Sequence, residues 1–116
     1  MDDNEYRRIC AQPDVMRRSD VRATVARLRG VRPDLADRAA HLLGTVPVPK
    51  PAAHAGGSET DYLWLDLDPA DIQEIVSELF DLETQQALDD APALQLGATA
   101  SLLDRWNAAE STRPAV

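Results

Sequence analysis

Cysteine, lysine, aromatic residues and long apolar runs are scarce in this sequence, and each shortage excludes a class of protein. The single cysteine, Cys10, excludes an internal disulfide and fits a reducing cytoplasm. Aromatic residues make up 4% of the 116 residues, and no apolar run is long enough for a membrane-spanning helix. One lysine stands against eleven arginines, which is typical of a GC-rich bacterial genome. With the acidic start at Met1–Glu5, unlike a signal peptide, these features predict a cytoplasmic bacterial protein.

Negative charge dominates the sequence, with a net charge of −8, but it is unevenly distributed. Residues 1–50 hold ten basic and seven acidic side chains, whereas residues 51–116 hold two basic and thirteen acidic ones. The acidic half would repel nucleic acids and anionic membranes, because both are negatively charged. This balance predicts a basic protein as the partner, with nucleic acid and membrane binding disfavoured.

The spacing of apolar residues through the first 44 residues predicts three short helices. Tyr6, Ile9 and Cys10 form the narrow core-facing stripe of the first helix. A proline in the first turn of the third helix and a glycine after its end fit the usual positions of these residues. The predicted helices run from Asp2 or Asp3 to about Gln12, from Asp20 to Arg29 after a Ser19 cap, and from Pro33 to Gly44.

Residues 45–61 connect the two differently charged parts of the chain. They contain three alternating prolines at 47–51 and the run Gly56-Gly57-Ser58. The prolines favour extended polyproline geometry, and the glycines provide a flexible break. We therefore expect an exposed linker without structure of its own, which limited proteolysis would cut first.

Polar and apolar residues alternate from Tyr62 to Asp68, which predicts a half-buried strand at 62–67. Leu63, Leu65 and Leu67 share its buried face. A lone strand is not stable, so this one needs a partner. The candidates are residues 94–96, residues 46–48 and the same strand of a second copy, which would make the protein a homodimer.

Asp68 and Pro69 form a strong helix start, followed by the best helical periodicity in the chain. The structure of residues 82–97 stays open, apart from a turn at 89–92. Thr99 is expected to cap a last helix, and residues 111–116 to form a tail. The predicted core comprises Val25, Leu28, Leu35, Leu42, Leu63, Leu65, Leu67, Ile72, Ile75, Val76, Leu79, Phe80, Leu102, Leu103 and Trp106.

These elements together predict a mainly α fold, α+β at most, with about five helices and one or two short strands. The expected organisation is an Arg-rich three-helix unit at 1–44, the linker at 45–61 and an acidic strand–helix–helix unit at 62–110. A chain of this length buries one modest core, so the units are expected to form one compact domain.

Residues Thr24–Pro33 resemble the first helix and turn of a bacterial repressor helix-turn-helix. Ala26, Gly30 and Val31 lie where that motif has a small residue, a turn glycine and an apolar residue. The resemblance implies a DNA-binding regulator acting through residues 20–43. The alternative is an ordinary helix–glycine–helix corner. The nucleic-acid-binding residues of this alternative function are Arg18, Arg22, Arg29 and Arg32.

Two faces of opposite charge are predicted on the second and fourth helices. Arg18, Arg22 and Arg29 project within about 40° of one another on an ideal helix. The helix after Pro69 carries what we call the acidic ridge. Either the arginines neutralise this ridge within the chain, or the ridge stays exposed for a basic partner. The acidic ridge consists of Asp71, Glu74, Glu78 and Asp81.

The strand face that carries Tyr62, Trp64 and Asp66 combines aromatic rings with a carboxylate. Such combinations are typical of binding hot spots, although aromatic residues on a strand are also often covered by their own domain. The predicted partner-binding residues are Tyr62, Trp64, Asp66, Asp71, Glu74, Glu78 and Asp81.

Catalytic and metal-binding patterns are not recognisable. Cys10, His41 and His54 lack the spacing of zinc ligands. We therefore expect no catalytic residue, metal or cofactor, since an enzyme would need a cleft of converging polar groups that the sequence does not reveal. The predicted function is a small acidic interaction or regulatory protein, similar in size and charge to acidic antitoxins and immunity proteins.

Overall fold

The computed structural model describes residues 2–54 and 56–111, which form five α-helices and a two-stranded antiparallel sheet. This confirms the predicted mainly α fold with a small β part. The chain divides into two compact units, the first ending at Asp66 and the second beginning at Leu67. Of the tail expected at 111–116, Ser111 is the last residue of α5, and residues 112–116 lie outside the described residues. The elements are α1 (Asp3–Cys10), β1 (Val15–Arg17), α2 (Arg18–Arg29), α3 (Pro33–Ala40), β2 (Tyr62–Trp64), α4 (Pro69–Leu88) and α5 (Ala93–Ser111).

The first unit begins with α1, whose N-terminus is capped as expected. The Asp2 carboxylate accepts a hydrogen bond of 2.7 Å from the backbone N–H of Glu5. The expected Ser19 cap of α2 is wrong, because α2 continues directly from β1 and places Ser19 inside its first turn. The backbone N–H of Arg18 donates instead to the carbonyl of Asp61 at 2.7 Å. α2 then packs against α3, which a 3₁₀ turn extends to Gly44 as expected.

The strand pairing differs from all three sequence-based candidates. β2 pairs with β1 in the register Val15↔Trp64, Met16↔Leu63 and Arg17↔Tyr62. Residues 94–96 lie in the first turns of α5, and the observed pairing is within one chain rather than across a dimer. Val48 approaches β2 without forming a strand, through one hydrogen bond of 2.8 Å from its N–H to the Tyr62 carbonyl.

One face of this two-stranded ribbon is buried, and the other is partly covered, with Trp64 there still 41% exposed. Met16 and Leu63 are fully buried on one face. On the other face, Val15 joins a second small apolar cluster with Tyr6 of α1 and Val48. Side chains of paired residues lie on the same side of a ribbon, so α1 covers part of the face that the core leaves open.

The segment 45–61 matches the expected exposed linker only in part, because residues 56–60 are exposed whereas other parts of the segment are packed. Two short 3₁₀ turns, Ala52–His54 and Ser58–Thr60, interrupt it, and Val48 is only 1% exposed. The Lys50 ammonium donates to the Thr60 hydroxyl at 2.7 Å and to the Gly57 carbonyl at 3.3 Å. The segment is therefore folded back onto the first unit.

Asp61 fixes the end of this segment to α2. Its Oδ1 lies 2.7 Å from the Lys50 Nζ, and its Oδ2 lies 3.8 Å from the Arg18 Nη2. The side chains of all three residues are less than one-fifth exposed. Because little water reaches these charges, removing one member of the triad leaves the others poorly compensated, which costs more than breaking a surface pair.

The second unit is a hairpin of two long helices, α4 and α5, which pack against each other. Pro69 starts α4 as predicted. The predicted turn at 89–92 is confirmed, and Asp90 adopts the left-handed conformation there with φ of 56°. The expected Thr99 cap is wrong, because Thr99 is buried inside α5 and its hydroxyl donates to the Gln95 carbonyl.

The predicted core is largely observed, with three exceptions. Leu67 and Val76 are half-buried, and Phe80 is 58% exposed. Successive residues of a helix point about 100° apart. Leu79 faces the core and is buried, so Phe80, the next residue, points away from the core.

We expect Asp61→Asn to lower the free energy of unfolding by about 1 to 3 kcal/mol, because it leaves two half-buried cations without their counter-charge. The matched control is Asp37→Asn, which removes an exposed ion pair with Arg29 and should cost less than about 0.5 kcal/mol. Urea unfolding at neutral pH measures both. Equal effects of the two substitutions would contradict a special role for Asp61.

The neighbouring pair Leu79 and Phe80 tests the observed orientation of α4. Leu79→Ala should cost about 2 to 4 kcal/mol through the cavity it leaves, whereas Phe80→Ala should cost below about 1 kcal/mol. Thermal unfolding followed by circular dichroism separates the two. A larger loss for Phe80→Ala would show that Phe80 is buried in solution.

Candidate functional site

The four arginines predicted for nucleic-acid binding are all paired with carboxylates of the first unit. Arg22 makes a two-pronged contact with Glu59, with a shortest N–O distance of 2.9 Å. Such a fork geometry gives the strongest arginine–carboxylate pairs. The pairs are Arg18–Asp61 (3.8 Å), Arg22–Glu59 (2.9 Å), Arg29–Asp37 (2.9 Å) and Arg32–Asp34 (3.0 Å).

These pairs leave the first unit electrically balanced. It contains ten basic and ten acidic residues in the sequence. The hydrogen bond from the Arg32 guanidinium lowers the pKa of Asp34 to about 2, so this carboxylate stays ionised at neutral pH. The first unit is therefore neutral as a whole, and these four arginines do not form a broad positive patch.

The whole net charge of −8 belongs to the second unit, which contains two basic and ten acidic residues in the sequence. The acidic ridge lies on α4 as predicted. Its members Glu74 and Asp81 are exposed, and Asp71 and Glu78 are half-buried.

Exposed apolar side chains lie in the second half of α4 and at the start of α5, a region that we call the hairpin tip. Phe80 is 58% exposed, Leu88 76% and Leu94 88%. The carboxylates of Asp81, Asp89 and Asp90 are exposed in the same region. The hairpin tip consists of Phe80, Asp81, Leu88, Asp89, Asp90 and Leu94.

The predicted aromatic face of β2 is only partly accessible. Trp64 is 41% exposed, and Asp66 is exposed two residues later. Tyr62 is half-buried, because its ring meets the edge of the Tyr6 ring and its hydroxyl accepts a 3.0 Å hydrogen bond from the Arg17 Nε. Trp64 and Asp66 are therefore the members of this face that a partner can reach directly.

The first unit also contains a cleft that the sequence analysis did not predict. The cleft, with a volume of about 450 Å³, lies between α1, the ribbon and the segment 45–61. Tyrosine and histidine rings, three cations, a hydroxyl and a thiol line it. The lining residues are Tyr6, Arg7, Cys10, Ala11, Arg17, Lys50, His54, Thr60 and Tyr62. Such a cleft of converging polar groups forms only after folding, because its residues come from four separate segments.

Two side chains of the cleft wall, Cys10 and His54, are constrained by their immediate surroundings. Burial raises the pKa of the Cys10 thiol, so the sulfur is protonated at neutral pH and is a poor nucleophile. His54 pairs through Nε2 with Oδ1 of Asp3, and its ring lies 4.9 Å from the Tyr6 ring. Within residues 2–54 and 56–111, no group of three or more His, Cys, Asp or Glu side chains is placed to hold a metal ion.

Comparison with known proteins does not extend these observations. No protein-family model, curated protein or solved structure matches this chain. None of the helices in the described part of the chain has both the length and the apolar character required to cross a membrane.

Tyr6 makes the stability of the protein sensitive to alkaline pH. Burial, followed by the neighbouring Cys10 thiol, raises the pKa of Tyr6 to about 12. An unfolded tyrosine titrates near pH 10, so the stability supported by neutral Tyr6 is complete below that pH and is lost as pH rises towards 12. We expect a loss of about 1 kcal/mol by about pH 11.

Urea unfolding at about pH 9 and pH 11 measures this loss. Tyr6→Phe removes the ionisable group at this position. It keeps the other tyrosine, Tyr62, so the comparison isolates the ionisation of residue 6. The variant should lose less stability than the parent protein over the same pH interval. An equal loss in both proteins would assign the alkaline sensitivity to another group.

Proposed function

We propose that this chain is an acidic interaction protein whose second unit docks a basic protein partner. The observation that carries the proposal is the division of charge, since the second unit holds the entire net charge of −8 while the first unit is neutral. A strongly negative surface accelerates association with basic proteins and selects against acidic ones.

The hairpin tip supports this proposal. Surface charge speeds the association of a partner, but apolar contacts are needed to slow its dissociation. Phe80, Leu88 and Leu94 expose apolar surface, and the exposed carboxylates of Asp81, Asp89 and Asp90 lie in the same part of the hairpin. Aromatic and aliphatic anchors surrounded by polar groups are the usual composition of binding hot spots. A partner that presents basic residues beside apolar ones matches both features. Trp64 adds a further exposed aromatic ring on the first unit.

The alternative function, DNA binding through α2 and α3, has less physical support. Arg22, Arg29 and Arg32 would have to exchange their carboxylate partners for phosphates. The repulsion between DNA and a chain of net charge −8 would add to this cost.

A synthetic amphipathic peptide of lysine and leucine serves as the probe for the proposed docking surface. The triple variant Asp81→Asn, Asp89→Asn, Asp90→Asn keeps the shape of the hairpin tip and removes three charges. Asparagine also tolerates the left-handed conformation at position 90. We expect the affinity to fall about tenfold, mainly through the association rate, and its salt dependence to shrink. Stopped-flow fluorescence and calorimetry at two salt concentrations measure these effects.

The matched control is Glu5→Gln, Asp34→Asn, Asp37→Asn, which makes the same change in net charge on the first unit. This control should leave peptide affinity nearly unchanged. A similar loss in both variants would show that net charge alone drives binding, and no binding of the peptide to the parent protein would overturn the proposal. Tight, salt-dependent binding of duplex DNA by the parent protein would support the alternative function instead.

A further inference from the structure

The cleft of the first unit is basic although the protein as a whole is acidic. None of the residues that line it is acidic, and three of them, Arg7, Arg17 and Lys50, carry a positive charge. Charges more than about 10 Å away are largely screened at ordinary salt concentrations. Carboxylates beyond this distance contribute little to the field inside the cleft. Two carboxylates lie close to its wall, because Asp3 pairs with Arg7 and His54, and Asp61 pairs with Lys50.

The three cations differ in what they have left to donate. Lys50 points its ammonium at Thr60, Gly57 and Asp61, so all three of its N–H donors have partners. Its role is to hold the segment that closes one side of the cleft. Arg7 pairs through Nε with Asp3 at 3.1 Å, on a side chain that is 70% exposed, which leaves its terminal amino groups for a ligand.

Arg17 keeps its terminal amino groups, as Arg7 does, and its own contact inside the cleft is with a neutral group. Its Nε donates to the Tyr62 hydroxyl at 3.0 Å, and its guanidinium carbon lies 5.6 Å from the centre of the Tyr62 ring. Within residues 2–54 and 56–111 it makes no ion pair. The contact with Tyr62 therefore orients a planar fork of terminal N–H groups without neutralising its charge.

The Tyr62 hydroxyl complements this fork. Its oxygen accepts the hydrogen bond from Arg17, so its own O–H remains to donate. An arginine fork binds two oxygens of a phosphate or carboxylate through parallel hydrogen bonds, and the neighbouring hydroxyl offers one further donor. The rings of Tyr6 and His54 provide a wall for the carbon skeleton of such a ligand.

We propose that this cleft binds a small ligand through its phosphate or carboxylate group, with Arg17 and Arg7 as charged donors and the Tyr62 hydroxyl as neutral donor. The volume of about 450 Å³ suits a ligand of one or two rings. This site is separate from the docking surface assigned to the second unit, and the two proposals stand or fall independently.

Three probes identify the chemistry that the cleft recognises: inorganic phosphate, phenyl phosphate and benzoate, each titrated at constant ionic strength. Calorimetry gives the affinity, and amide chemical shifts locate the binding. We expect saturable binding of at least one probe, with the largest shifts around Arg17, Thr60 and Tyr62. Preference for the two phosphates assigns a phosphate ligand, and preference for benzoate assigns a carboxylate ligand.

The deciding variant is Arg17→Gln, which removes the charge and keeps an amide donor for the Tyr62 hydroxyl. It should weaken binding of the preferred probe at least about tenfold. The matched control is Arg8→Gln, an exposed arginine of the same region that does not line the cleft and whose loss changes the net charge equally. Arg8→Gln should leave the affinity within about twofold of the parent protein.

Tyr62→Phe provides a second variant in case Arg17→Gln fails to fold. It keeps the ring and removes only the hydroxyl, so weaker binding with an unchanged melting temperature supports the proposed contact. The proposal is overturned if no probe binds saturably to the folded parent protein. It is also overturned if Arg8→Gln weakens binding as much as Arg17→Gln, since binding would then reflect diffuse surface charge.

Discussion

The carboxylate of Asp61 is the contact on which the organisation of the first unit depends. It joins Lys50 from the proline-rich segment to Arg18 at the start of α2, and its carbonyl accepts the Arg18 backbone N–H. Tyr62, the first residue of β2, follows immediately, so the position of Asp61 sets where β2 meets β1. The same contact brings Lys50, Thr60 and His54 to the side of the cleft. The half-buried carboxylate of Asp61 thereby helps to fix the register of β2, the fold of the segment 45–61 and the shape of the cleft.

Local signals predicted the helices well because capping and periodicity are encoded within a few residues. Asp2 before α1 and Pro69 at the start of α4 are examples, and the buried leucines of β2 followed from simple alternation. Non-local structure was not predictable in the same way. β1 is three residues long, and its partner strand lies far away in sequence. The segment Val15–Arg17 is therefore too short to show the alternation that predicts a strand. Thr99 was wrongly predicted to cap a helix. It is a good capping residue, but the helix begins six residues earlier and Thr99 is buried inside it.

The candidate sites follow the same division between local and non-local information. The acidic ridge of α4 is a pattern on one helix and was found from the spacing of its carboxylates. The cleft combines α1, the end of β1, the segment 45–61 and the start of β2, so its charges converge only in the folded chain. The pairing of Arg22 with Glu59 was likewise invisible in a sequence that shows only an arginine-rich helix. A run of like charges in the sequence therefore shows only which charged residues are present. The electrostatic field that a ligand experiences depends on which of these charges are paired in the folded chain.

The position of Lys50 has a consequence for covalent chemistry. It is the single lysine of the sequence, and its side chain is 14% exposed with the ammonium held by a hydroxyl, a carbonyl and a carboxylate. Acylation needs an unprotonated amine with a free lone pair, so these three contacts slow the reaction of this side chain. The acylation rate of Lys50 therefore reports how often the contacts that hold the proline-rich segment break. Mass spectrometry measures this rate without introducing a label into the protein.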